Sequence, residues 1–329
     1  MRQVSSTAGN FTSRLFRGFF AVVLALFVIS QAVRGQDKAE PAGSGCVPSD
    51  LSALIVPEGR SVQVSEAREF DKQGRAFGKT LSSSAASGSL DARRTEEGYR
   101  IFLKEARQGN PGAMVNLAVS FIAGWGTEQS AGTALYWLHA AADRGYAPAF
   151  YDLGILYFKG CGVRQDMAEA FRFFEMGAES GYAPAEVNLG YFFDHGLGVP
   201  QDHAAAASWY RKAAEAGEAH AQYNLADHYL HGEGVAKDEA AAFGWYEKAA
   251  LQGHSAAQIM VGSMLAAGRG TSKDLAGAYF WTLAAVLQGD TRGVALLRTL
   301  EGQLPSAEIE EAKARAQLLF AGVQAAKNR

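Results

Sequence analysis

The 329-residue sequence predicts an all-α protein, a solenoid of about five 36-residue helix-turn-helix repeats with capping helices at both ends. Three observations predict it. Glycine recurs at a fixed period. Gly145, Gly181, Gly217, Gly253 and Gly289 are each 36 residues apart, as are Gly124, Gly160, Gly196, Gly232 and Gly268, and as are Gly126, Gly162, Gly198, Gly234 and Gly270. Alanine and aromatic columns keep the same step, with Ala at 113, 149, 185, 221 and 257 and the series Trp137, Phe173, Trp209, Trp245, Trp281. The composition agrees: 60 Ala and 37 Gly stand against 8 Pro. Glycine at about 11% exceeds the usual share of roughly 7%. It has no three-residue period, which excludes collagen. A hydrophobic fraction of 48% excludes a wholly disordered chain.

The chain opens with Arg2, Arg14 and Arg17, followed by a 13-residue apolar run, residues 18–30. A spanning helix needs roughly 20 such residues, and a signal-peptide core roughly 7–15. Ser30-Gln31-Ala32 then has the small-x-small form of a cleavage site. Residues 1–32 therefore read as a signal peptide, the alternative being a retained anchor through residues 18–30. The protein is expected to be periplasmic or secreted, touching membrane only through this segment. Residues 33–97 read as a flexible linker, with Pro41, Pro48, Pro57 and a Ser/Ala/Gly tract at 81–89. Within it, Leu51 to Val56 is a short apolar patch able to form a strand or dock locally. Gly78-Lys79-Thr80 resembles the end of a phosphate loop, but position 73 is Gln where the loop needs Gly, so no nucleotide site is expected.

The repeat array spans 98–290. In the second unit, Pro148 suits the first helical turn, and Ala149, Leu153 and Tyr157 form one helical stripe. Gly160-Cys161-Gly162-Val163 breaks that helix. Asp166 is placed to cap the next one, with Glu169 three residues on completing a capping-box pair. Ala170, Phe173, Phe174 and Ala178 form the second stripe, and Gly181 ends it. Ala149 and Gly154, with their equivalents, are expected to let helix backbones approach closely while the aromatic column fills the remaining volume. Tyr99 to Gln108 reads as a capping half-unit in front. Residues 291–329 supply two more helices, Thr291 to Leu300 and Ser306 to Leu319, as the rear cap.

These columns resemble the Sel-1-like repeat family, a relative of tetratricopeptide repeats. The unit Ala221-Gln222-Tyr223-Asn224-Leu225-Ala226, Tyr229, Gly232-Glu233-Gly234-Val235, Asp238, Ala242, Trp245-Tyr246-Glu247-Lys248-Ala249-Ala250, Gly253 carries the resemblance most fully. Asn188-Leu189-Gly190 and Trp209-Tyr210-Arg211-Lys212-Ala213-Ala214 carry it in the third unit. Ser130 replaces the loop Asp in the first unit, while Met260 and Thr271 depart in the fifth. The resemblance implies a right-handed α/α superhelix and a protein–protein interaction role, as an adaptor or scaffold in the bacterial envelope.

Charge and motif searches bound the function. Residues 98–290 carry 13 basic and 20 acidic groups, so the array is net −7 and unsuited to nucleic acid. No Ser-x-x-Lys or Gly-x-Ser-x-Gly motif occurs, which leaves no support for an envelope hydrolase of the β-lactamase or peptidoglycan-active kind. No catalytic residue, cofactor or metal is expected. His228 and His231 lie three apart near Asp227 and Glu233, but a zinc site wants three or four convergent ligands, so they read as solvated loop positions. Cys46 and Cys161 are expected to be separate thiols, because a flexible linker does not fix disulfide geometry. One column suggests a partner groove: Asn116, Asp152, Asn188 and Asn224 each precede the core position of a first helix. Stacking would line them up, as a ladder able to grip an extended peptide backbone or as bonds between neighbouring units. The expected partner is a protein or peptide with a neutral or basic surface. The alternatives to an exported scaffold are the hydrolase and a membrane-anchored cytoplasmic adaptor.

Overall fold

The computed structural model describes residues 88–327. The signal-like segment 1–32, the linker up to residue 87 with its 51–56 patch, and Cys46 lie outside the described residues. Among the described residues there are thirteen α-helices and no strand. The chain divides into two compact units, with the division between Ala236 and Lys237.

The first unit holds α1 (Gly88–Arg107), α2 (Pro111–Ala123), α3 (Ala131–Ala142), α4 (Ala147–Lys159), α5 (Met167–Glu179), α6 (Ala183–His195), α7 (His203–Glu215) and α8 (Ala219–His231). Each helix packs on the next. The second unit holds α9 (Glu239–Leu251), α10 (Ser255–Ala267), α11 (Leu275–Leu287), a 3-10 turn (Thr291–Gly293), α12 (Val294–Glu301) and α13 (Ser306–Lys327). Here α10 packs on α9 and α11, and α11 also carries α12 and α13. Consecutive packing of helix pairs is the contact pattern of a solenoid.

Local chemistry sets the boundaries. Asp166 Oδ1 accepts from the backbone N–H groups of Ala168 and Glu169, at 3.0 and 3.1 Å. Asp202 and Asp238 cap α7 and α9 in the same way. The capping box is only half formed, because the Glu169 carboxylate turns outward and binds Arg172 at 2.7 Å. A flexible guanidinium one turn along competes successfully for it. At the other ends, Gly160 closes α4 with φ 76°, a left-handed conformation that costs a residue with a Cβ about 1 kcal/mol or more. The column that includes Gly181 lies one residue beyond the helix cap: α5 is capped by Ser180, and Gly181 then turns left-handed at φ 77°. The second loop glycine serves packing. A Cβ on Gly198 would stand 2.6 Å from the Met167 backbone of the preceding repeat.

The core corrects two expectations about the columns. The column Trp137, Phe173, Trp209, Trp245, Trp281 is not the deepest, since Trp137, Trp209 and Trp245 are only half-buried. Lys212 and Lys248 sit over the rings of Trp209 and Trp245. The next residue along is the fully buried one, as at Phe174, Tyr210 and Tyr246. Gly154 and Gly190 leave room for those rings and not for a neighbouring backbone. A Cβ on Gly154 would lie 2.6 Å from Phe174 Cε1, and one on Gly190 2.7 Å from Tyr210 Cε1. At Gly262 a Cβ would meet the Thr282 hydroxyl first and then backbone, with Ala278 O at 3.0 Å. There the equivalent of the buried ring is the small Thr282.

Helix α1 begins at Gly88, ten residues ahead of the predicted array start, and buries Ala106 against the first core cluster. At the other end α13 continues to Lys327, eight residues beyond the predicted Leu319, and buries Ala312, Ala316 and Val323. Val323 covers the turn at Gly253, and the Arg315 guanidinium stacks over Phe280 at 4.9 Å. These contacts cover the apolar face that the last repeat cannot bury alone.

Candidate partner-binding face

The predicted ladder residues fall on α2, α4, α6 and α8, the first helices of four successive repeats and all in the first unit. Their environments differ. Asn116, Asp152 and Asn224 are half-buried, so each reaches the surface. Asn188 is buried, at 1% exposure. Its amide lies against the Tyr151 hydroxyl, and neither amide atom completes a well-aligned hydrogen bond. Asn224 stands in the same relation to the Tyr210 hydroxyl. Burial pushes both tyrosines up from the ordinary phenol range, helped by the charges of Asp152 on one and Asp194 on the other, while the amides pull the other way. Both phenols therefore stay neutral donors. The column is thus mixed: part of it serves contact between repeats, and three members remain accessible.

A second polar column, not predicted, lies two residues earlier. Gln222 Nε2 donates to Ala214 O at 3.1 Å, and Gln258 Nε2 donates to Ala250 O at 3.0 Å. Each amide adds a second donor to a carbonyl near the C-terminus of the preceding helix, which also accepts from the turn glycine Gly217 or Gly253. Glu186 holds the equivalent place and has no donor. Lys212 supplies it, with Nζ 2.7 Å from Glu186 Oε1 and 3.3 Å from Ala178 O. The signal in the sequence was polar Glu, Gln, Gln at 186, 222 and 258 where Met114 and Phe150 stand earlier.

The histidines divide. His195 and His231 are exposed, with Nδ1 on the carbonyl four residues back, at 3.1 and 2.9 Å. His228 is not a solvated loop position as expected but is buried, at 2%. Its polar neighbour is Asp194, 34 residues upstream, and not His231. Among the described residues no group of three His, Cys, Asp or Glu is arranged to hold a metal. Cys161 is disulfide-bonded, against the expectation of a separate thiol, and the other cysteine of the sequence is Cys46. A spacer of this length lets the two sulfurs meet at modest entropic cost, and an oxidising compartment takes up the two electrons that pairing releases.

The Sel1 repeat profile matches residues 111–146, 147–182, 183–218, 219–254 and 255–290, five contiguous units that cover more than half of the chain. The chain belongs to the Sel1 repeat family. The match boundaries coincide with the helix pairs described above, and Sel1 repeats are a scaffold fold for protein–protein interaction. A solved protective antigen of uropathogenic Escherichia coli strains, displaying an SLR fold, is 33% identical with a TM-score of 0.63. That alignment covers 69% of this chain and 50% of the antigen, so the chain spans half the antigen's length. A Sel1 repeat protein from Oxalobacter formigenes is 28% identical with a TM-score of 0.59, covering 70% of this chain and 93% of that one. No curated protein matches the chain.

Proposed function

We propose that this Sel1 repeat protein is an exported bacterial scaffold that grips an extended segment of a partner protein along the first helices of its first four repeats. The observation that carries the reading is the column Asn116, Asp152, Asn224. It places hydrogen-bonding side chains at the surface, one per 36 residues, on a family of interaction repeats. Main-chain donors and acceptors of an extended peptide suit such a ladder. Asn188 belongs to the interior and serves as support. The net −7 of residues 98–290 favours a neutral or basic partner segment.

Export is supported by the Arg-flanked apolar run ending at Ser30-Gln31-Ala32, and by the disulfide at Cys161, since such bonds persist in oxidising compartments. The description of the E. coli relative as a protective antigen is in keeping with it. Two experiments test the reading. Affinity capture from the native envelope compares wild type with Asn116→Ala/Asn224→Ala. Reduced recovery of one partner at unchanged melting supports the groove, and equal recovery removes it. N-terminal sequencing of the mature protein decides export, with a start near Val33 supporting it and an intact Met1 end refuting it.

A further inference from the structure

Two successive joints between repeats can be compared position by position, because the chain keeps its 36-residue register. Where repeat 147–182 meets repeat 183–218, the contact is apolar. Phe158 and Phe192 have ring centroids 5.5 Å apart, Phe174 and Phe192 are at 5.1 Å, and Met167 packs with them. One repeat later the same positions hold Asp194 for Phe158, His203 for Met167, His228 for Phe192 and Tyr210 for Phe174. The ring contact persists, with Tyr210 and His228 at 5.4 Å. The apolar trio has become titratable.

Its geometry dictates protonation states. His228 Nδ1 lies 2.7 Å from Glu233 O, a carbonyl that only accepts, so Nδ1 carries a hydrogen. His228 Nε2 is buried, lies 3.2 Å from Asp194 Oδ1 as an ion-pair contact, and completes no aligned hydrogen bond. A lone pair there would face a carboxylate oxygen, whereas a second N–H⁺ is attracted to it. His203 Nδ1 lies 2.6 Å from the same oxygen and donates to it from the start of α7. His195 adds a weaker contact at 3.9 Å to the other oxygen. The charges bearing on His228 are Asp194 on α6 and Glu233 after α8, both acidic, and Asp227 bears on Tyr210 across from it.

We propose that the joint between repeats 183–218 and 219–254 is a protonation-dependent clasp, closed by an imidazolium–carboxylate contact between His228 and Asp194 that holds α8 onto α6 and α7. Geometry and titration agree in sign. Burial pulls His228 down, but the Asp194 contact and the Glu233 carbonyl outweigh it, so its pKa is raised. A raised imidazole contributes stability that is full below its ordinary value near 6.5 and is lost as pH rises through the folded value. Burial pushes Asp194 up, but His228 and His203 outweigh that and its pKa is lowered. Its contribution is present above the ordinary carboxylate value near 4 and is lost as pH falls through the folded one. The clasp is therefore tightest in mildly acidic solution, between those two limits.

The test transplants the neighbouring joint: Asp194→Phe, His203→Met and His228→Phe together, in the full chain. Amide hydrogen-exchange protection in α8 is followed from about pH 5 to about pH 8. In the wild type, protection factors fall with rising pH by roughly fivefold, the order of one ion pair. In the transplant they stay flat. The same profile in both proteins, or protection that increases with pH in the wild type, overturns the clasp. Should the transplant not fold, the ring-nitrogen resonances of His228 in the wild type decide. A titration midpoint above the ordinary value near 6.5 supports the clasp, and one below it refutes it.

Discussion

Lys212 holds Glu186 at 2.7 Å and at the same time donates to Ala178 O at 3.3 Å. Glu186 is 3% exposed at its side chain, whereas Lys212 is 51% exposed. The pair replaces the arrangement of the next repeat, where the neutral Gln222 amide donates to Ala214 O. Removing Lys212 strands a buried carboxylate, while Ala178 O keeps the Gly181 N–H at 2.9 Å. Lys212→Ala is expected to cost about 2 kcal/mol in urea denaturation, the order of a lost charged hydrogen bond that water partly replaces. Glu186→Gln restores the neutral pattern and is expected to change stability by less than about 1 kcal/mol. In the Glu186→Gln background, Lys212→Ala is expected to cost less than half as much. Equal costs in both backgrounds would show that the lysine acts through something other than this carboxylate.

Glycine supplies a second prediction, because two helical glycines have opposite surroundings. A Cβ on Gly154 meets the buried Phe174 ring at 2.6 Å, and one on Gly244 meets nothing within 4 Å. Gly154→Ala overpacks the core and is expected to destabilise by about 1–3 kcal/mol. Gly244→Ala, in the middle of α9, is expected to stabilise by about 0.5–1 kcal/mol through the chain entropy it removes. Calorimetric melting of the two variants measures both, and the prediction lies in their opposite signs.

The periodic part of the sequence carried the helices to within a residue or two, because Gly at a left-handed cap and Asp at an N-cap act locally. Asp166 shows this, binding the two N–H groups that its spacing indicated. What the sequence did not reveal depends on the neighbouring repeat. Gly154 reads as a small residue, but only packing shows that Phe174 occupies its space. His228 reads, with His231, as a solvated loop position, whereas folding buries it against Asp194. A usable signal existed: Asp194 and His228 interrupt columns that hold Phe158 and Leu230, and Leu156, Phe192 and Met264, in other repeats. The accessible Asn116, Asp152 and Asn224 were legible as a column, but the burial of Asn188 within it was not.

The last prediction concerns pH in the second unit, where the sign is opposite to that of the clasp. His254 caps α10 by accepting from Ala257 N–H at 3.1 Å through Nδ1. An accepting nitrogen carries no proton, so the cap needs the neutral ring. Burial, reinforced by the Arg292 charge and opposed by Asp290, pulls His254 down to about 4. The unfolded chain takes up its proton first, near 6.5, so stability of this unit falls as pH drops from about 6.5 to about 4. The full loss over that span is on the order of 3 kcal/mol at most. His254→Asn keeps a capping side chain that does not titrate. Hydrogen-exchange protection in α10 is expected to drop on acidification in the wild type and to hold in His254→Asn. Both proteins are expected to be about equally protected near neutral pH. An acid loss that persists in the variant would assign it to another group. Because α8 is expected to gain protection as pH falls toward about 6.5 and α10 to lose it below that value, one exchange series on the full chain reads both signs.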